Sequence, residues 1–273
     1  MKTKISMTLA ILLGLFTFCL PALAGDREHH IEEKTVIEIP IVGKISTISS
    51  SYLSDCKLME KSTIRMHNSL VKMLADSDGK SEHSQLSDMC DEVQWEYNSE
   101  LATWESSTFA EIRKEIQIKV QNAETHIDME SDQNDINDLP RMTREIVGGE
   151  KNINGFPARK VVTRVHLEDR DNPLIIEEYY STRAKALTEI TKKREDLRRK
   201  LEHDVDDVEG VPDFITLLYD AIKADDSWAR PKGEVIRFVI QLLDDEDDQL
   251  FTMNYDVVIA ETGNYQAEHF QLK

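Results

Sequence analysis

The chain has 273 residues, with 33 Lys plus Arg against 52 Asp plus Glu, a formal charge of −19 that excludes a nonspecific nucleic-acid binder with a basic face. Gly (10) and Pro (7) together fall well below the roughly 12% of ordinary usage, so collagen-like, Gly/Ser-linker and low-complexity classes are excluded as well. The 40% hydrophobic content is modest but enough for a core, and the length suits one large domain or two small ones.

Met1 to Lys4 is basic, Ile5 to Leu20 is apolar, and small residues stand at Ala22 and Ala24. This is the order of a secretory signal, with cleavage expected after Ala24. The apolar stretch is shorter than the ~20 residues a membrane-spanning helix needs. Cys19 follows the bulky Phe18, which argues against a lipoprotein signal. Loss of Lys2 and Lys4 takes the formal charge from −19 to −21, and no later segment approaches 18 consecutive apolar residues. A periplasmic protein, not integral to the membrane after cleavage, is expected. Of three cysteines, Cys56 and Cys90 survive cleavage, and an even pair in an oxidising compartment reads as a disulfide.

Residues 25–34 are polar and aperiodic and read as a flexible leader; His29 and His30 beside Glu32 and Glu33 are taken as solvated rather than metal-binding. From Thr35 to Leu53 the many β-branched residues predict extended structure, with Pro40 and Gly43 marking an edge position or a bulge. Lys57 to Met66 is a further extended piece, and 76–84 reads as a turn. Val93, Trp95 and Tyr97 alternate with polar residues, and Leu101 to Trp104 returns as the second arm of a hairpin. Thr108 and Glu111 form a capping box at the start of a helix over about 108–122.

Residues 124–140 read as a flexible acidic loop, because Ile136 interrupts the run and no Gly is present for a calcium-binding turn. From Arg141 to Thr182 three antiparallel strands are predicted, the first two joined at Asn154-Gly155. The period then changes. Leu187, Ile190, Leu197 and Leu201 share a helical stripe in a segment, 183–203, with eight basic and four acidic residues. A second helix starting near Pro212 carries Phe214, Leu217, Leu218 and Ile222. Extended structure resumes over Gly233–Leu243, Leu250–Ala260 and Tyr265–Leu272, with an acidic turn at Asp244–Asp248.

No nucleophile elbow, zinc-binding His-Glu-x-x-His helix, Cys-x-x-Cys pair or phosphate-cradling Gly loop occurs, so no catalytic residue, metal site or cofactor is assigned. The basic helix has two readings, a face for anionic lipid headgroups or a solvated helix paired with acidic loops of the same chain.

Asn152 to Lys160, Ile175 to Thr182 and Lys232-Gly233-Glu-Val-Ile-Arg-Phe238 resemble an exported bacterial family of unknown function related to the periplasmic lipoprotein-localisation carriers with the LolA-like fold. Trp95 to Asn98 and Thr103 to Glu111 are similar to that family's hairpin and following helix, so the likeness spans roughly 35–272. The acidic insert and the long basic helix depart from the family pattern. The resemblance implies an α+β protein, mainly antiparallel β: a strongly curved open sheet, an incomplete barrel, with a helical lid inserted between strands over 183–225. It also implies an apolar hollow beneath the helices, and it supplies no catalytic residues.

The sequence therefore points to a single curved-sheet domain over 35–273 that acts as a non-enzymatic binding module for a hydrophobic or lipid-like ligand. Phe214, Leu217, Leu218, Ile222 and Trp228 are the expected lid residues. The alternative is an envelope interaction or assembly protein that meets a partner through a sheet edge or through Lys192, Lys193, Arg198 and Arg199.

Overall fold

A computed structural model describes residues 27–40, 43–67, 80–124, 141–166, 172–201, 231–243 and 248–272, with the backbone alone for 119–124. The signal segment, the acidic stretch 125–140, the second predicted helix with all five expected lid residues, and 244–247 lie outside the described residues.

Among the described residues eleven strands form one antiparallel sheet. The first six are β1 (Arg27–Ile39), β2 (Gly43–Ser54), β3 (Lys57–Met66), β4 (Lys80–Asp88), β5 (Val93–Asn98) and β6 (Thr103–Thr108). Helix α1 (Phe109–Glu124) follows, then β7 (Arg141–Ile153), β8 (Phe156–His166), β9 (Leu174–Ser181), helix α2 (Lys185–Lys200), β10 (Glu234–Leu243) and β11 (Gln249–Asn264). The order across the sheet is β6-β5-β4-β3-β2-β1-β11-β10-β9-β8-β7. Two meanders are thus joined where β1 meets β11, and the sheet is open because β6 and β7 remain separate edges.

The sheet curves around α2. This helix leaves the end of β9, and at its other end Lys200 donates to the Met89 carbonyl (3.2 Å) and the Glu92 carboxylate (2.8 Å) in the β4–β5 turn. Its 16 residues span about 24 Å, whereas the seven inter-strand gaps from β9 to β5 measure ~34 Å along the sheet. A chord shorter than its arc requires a concave face, and α2 lies across it, packing chiefly on β1, β11 and β2.

Local chemistry accounts for the turns. Asn154 and Gly155 have φ of +51° and +90°, as a two-residue hairpin with the right twist demands, and Asn152 Oδ1 accepts the Gly155 N–H at 2.9 Å. The capping box forms as expected: the Thr108 N–H donates to Glu111 Oε2 (2.8 Å) and the Glu111 N–H to Thr108 Oγ1 (3.2 Å). These bonds, the backbone one foremost, hold the Glu111 carboxyl below its usual range. The Cys56–Cys90 disulfide is present and ties the β2–β3 turn to the β4–β5 turn, where the Met89 N–H also donates to the Cys56 carbonyl at 3.0 Å.

Four expectations are corrected. From Arg27 onward the expected leader is β1, a strand at the middle of the sheet. Its polar residues escape the usual alternation because both faces supply partners: Glu28 accepts from the Gln266 N–H (3.1 Å) and pairs with His269 (2.6 Å), His29 bonds Thr262 (2.9 Å), and His30 stacks on Tyr52. Pro40 and Gly43 mark neither an edge nor a bulge but the corner of the β1–β2 hairpin, where Ile39 pairs with Gly43. Lys80 to Ser84, expected in a turn, lies in β4 and pairs with Lys61 to Arg65 of β3. The expected strand Tyr265–Leu272 is instead a 3₁₀ turn, Ala267–Phe270, which seats Phe270 against Met59 and Leu86 on the convex face.

Candidate functional site: the concave face

Strand registers fix which side chains share the concave face, because residues alternate between faces along each strand. Beneath α2 this face is filled. Ala186, Leu187, Ile190, Leu197 and Leu201 are at most 7% exposed and join Ile31, Leu53, Leu58, Ile236 and Val257 in one core. The hollow expected beneath the first of the paired helices is therefore absent under α2, for a simple reason: its stripe meets branched side chains of matching size on β1, β2, β3, β10 and β11.

A polar belt runs along the edge of that packed region. Arg194 lies on the apolar stripe of α2, four residues after Ile190 and three before Leu197, and points at the sheet. It donates to Glu60 (2.8 Å), Glu33 (2.9 Å) and Ser51 Oγ (2.8 Å), and the Tyr255 hydroxyl donates to the other Glu33 oxygen at 2.6 Å. Burial alone would lower the Arg194 pKa, but the two carboxylates outweigh it and the guanidinium is held firmly charged. Burial first, and the Glu33 charge second, push the Tyr255 phenol upward, so it remains a protonated donor.

Beyond the belt the concave face turns apolar again. One row crosses seven strands through the pairs Thr163–Ile176, Ile176–Ile240, Ile240–Met253, Met253–Ile37, Ile37–Ile45 and Ile45–Met66. Val165, Leu174 and Ile176 pack with Met142, Ile240 and Leu242 at its β7–β10 end. Phe238 stacks on Tyr255 at 5.0 Å between the row and the belt. Ile37, Ile45, Ile64, Met66, Ile240 and Met253 are only partly buried, and among the described residues no helix packs on this half.

On the same face, where β7, β8 and β9 end, lies a cleft of about 540 Å³. Arg159, Arg183, Lys232, Glu150, Tyr180 and Ile146 are among its lining residues.

The sequence-predicted basic positions sit on the solvent side of α2. Lys192, Arg198 and Arg199 are exposed and Lys193 is half-buried; Arg199 pairs with Asp196 of its own helix. Among the described residues Lys192, Lys193 and Arg198 have no ion-pair partner. The sequence reading missed Arg194, whose signal was available: a cation on the helix's apolar stripe needs a carboxylate opposite. Among the described residues no group of three His, Cys, Asp or Glu is arranged to hold a metal ion, and no helix is long and apolar enough to cross a membrane.

No protein-family model matches the chain, and no curated protein matches it. Among solved structures it is similar to a putative outer membrane lipoprotein-sorting protein domain from Vibrio parahaemolyticus, with 7% identity, 89% of this chain and 88% of that one covered, and a TM-score of 0.23. It is also similar to a DUF1329 family protein from Desulfovibrio piger, with 12% identity, 97% of each chain covered and a TM-score of 0.25. A LolA superfamily protein from Nitrosomonas europaea shares 8% identity over 91% of each chain, with a TM-score of 0.26. The architecture given above rests on strand order and register.

Proposed function

We propose that this is an exported, periplasmic, non-enzymatic binding module that holds a hydrophobic, lipid-like ligand against the half of the concave face beyond Arg194. The observation that carries this reading is the row Ile176–Ile240–Met253–Ile37–Ile45–Met66, a continuous apolar wall spanning six strands and bounded by a polar belt. An apolar surface of that extent is costly to leave wet, and a concave one suits an acyl chain better than a flat protein partner. Residues 1–24 are its export signal. Phe214, Leu217, Leu218, Ile222 and Trp228, which lie outside the described residues, are its proposed ligand contacts.

Mass spectrometry of solvent extracts from the purified native protein tests the reading. A lipid recovered in stoichiometric amount from the wild type and lost from Ile240→Asp is the expected result; consistently ligand-free protein with no uptake of added lipid overturns it.

A second reading is an envelope interaction protein. It is supported by Lys192, Lys193 and Arg198, which project from a helix already anchored on its other side. Charge reversal at Lys192, Lys193, Arg198 and Arg199 separates the two: loss of a partner in pull-downs with unchanged lipid content favours the second.

A further inference from the structure

We infer that the cleft at the β7–β9 end of the concave face is a headgroup site, and that the ligand is an amphiphile with an anionic phosphate or carboxylate group. The inference rests on the binding-module reading above and adds the chemistry of the ligand's polar end. Three cations, Arg159, Arg183 and Lys232, line one cleft together with a single acid, Glu150, on a chain whose formal charge is −19. Their convergence is built into the backbone. Arg159 faces the cleft from β8, opposite Tyr180 of β9. Arg183 stands just past the end of β9, where its N–H donates to Ser181 Oγ at 3.2 Å. Lys232 precedes Gly233, whose φ of +105° and lack of a side chain let β10 start hard against β9. A Cβ there would fall 2.3 Å from the Ser181 carbonyl oxygen.

Charge is available for a ligand. Arg159 has only a loose contact with Glu150, 3.9 Å between exposed side chains, and among the described residues Arg183 and Lys232 have no ion pair. Of the acids beside the cleft, Glu178 accepts a hydrogen bond from the Tyr180 hydroxyl at 2.9 Å, and Glu234 pairs with Ser181 at the start of β10. By strand register the cleft lies close to the apolar wall, with Glu178 between them on β9. Ile146, in its lining, pairs with Val161, Val161 with Glu178, and Glu178 with Phe238, the ring that borders the wall. A polar anion seated among the three cations therefore leaves its chain lying along Ile176, Ile240 and Met253.

The test compares 1-oleoyl lysophosphatidate, monoolein and inorganic phosphate on the full-length purified protein, wild type and Arg159→Gln/Arg183→Gln/Lys232→Gln, by titration calorimetry. All three positions are exposed, so unchanged melting of the variant is expected to accompany the binding data. The wild type is expected to favour lysophosphatidate over monoolein about tenfold or more, as charge-assisted contacts require. The triple variant is expected to lose that preference and keep its monoolein affinity. Equal binding of the two lipids by the wild type, a preference that survives in the variant, or loss of monoolein binding with it overturns the headgroup site while leaving the binding module standing. Phosphate binding as tightly as lysophosphatidate makes this a free-anion site and overturns the amphiphile. Binding of neither lipid overturns both proposals.

Discussion

The two halves of the concave face are built from the same strands and behave oppositely. On the α2 side, Ile31, Leu58 and Ile190 are fully buried and the helix stripe fills the space above the sheet. On the far side, strands continue with equally apolar residues at Ile37, Ile45, Ile64 and Met253, yet these stay partly exposed. What separates the halves is Arg194, which occupies the place on the stripe where one more Leu would extend the packing. One half of the face is therefore packed, the other stays partly exposed, and substitution can test the difference in energy.

The largest effect is expected at the corner that anchors α2. Replacing Cys56 and Cys90 by Ser releases a loop with a sequence separation of 34 and is expected to cost roughly 3.5–4 kcal/mol in urea unfolding. The direct contrast comes next. Ile190→Ala is expected to cost about 3 kcal/mol, as a fully buried site does, while Ile45→Ala costs less than about 1 kcal/mol and weakens lipid uptake instead. Equal costs at the two positions would erase the distinction between the halves. Arg194→Met removes the partner of Glu33 and Glu60 and is expected to cost about 2–3 kcal/mol, with a smaller loss when Glu33→Gln and Glu60→Gln are added.

The smallest effect sharpens the belt itself. Tyr255→Phe removes a hydrogen bond to a carboxylate and is expected to cost about 1.5 kcal/mol near neutral pH. Because the folded phenol titrates above its ordinary 10.0, the folded state holds that proton more tightly than the unfolded one. Its contribution is therefore complete below about pH 10 and declines as pH rises beyond it. Unfolding curves from pH 8 to 11 should fall more steeply for the wild type than for Tyr255→Phe.

Much of this fold is legible in the residues. Asn154-Gly155, the Thr108/Glu111 capping box and the alternation through Trp95 and Tyr97 each specify local geometry without help from distant parts, and each forms where expected. The failures share a cause of the opposite kind. Residues 27–34 look like a solvated leader because Glu28, His29, His30 and Glu33 find their partners at His269, Thr262, Tyr52, Arg194 and Tyr255, many positions away along the chain. Residues 265–272 read as a strand for a similar reason: Phe270 leaves the strand pattern to reach Met59 and Leu86. In the site, the exposed cations of the basic helix stand out in the sequence, whereas the cation that shapes the concave face is the one on the apolar stripe. The cleft residues Arg159, Arg183 and Lys232 are scattered over 74 positions and become neighbours only through sheet order and the close approach at Gly233.

The seam between β1 and β11 also sets a timetable. Thr35 pairs with Tyr255 and Arg27 with Asn264, so the two meanders have no shared spine until residues 249–264 have emerged. Contacts of such long sequence separation form late and slowly. Until then β1 has β2 as its strand partner on one side and is unpaired on the other. A chaperone that shields β1 in that interval is expected to raise the yield of folded protein more than one that acts after β11 has paired.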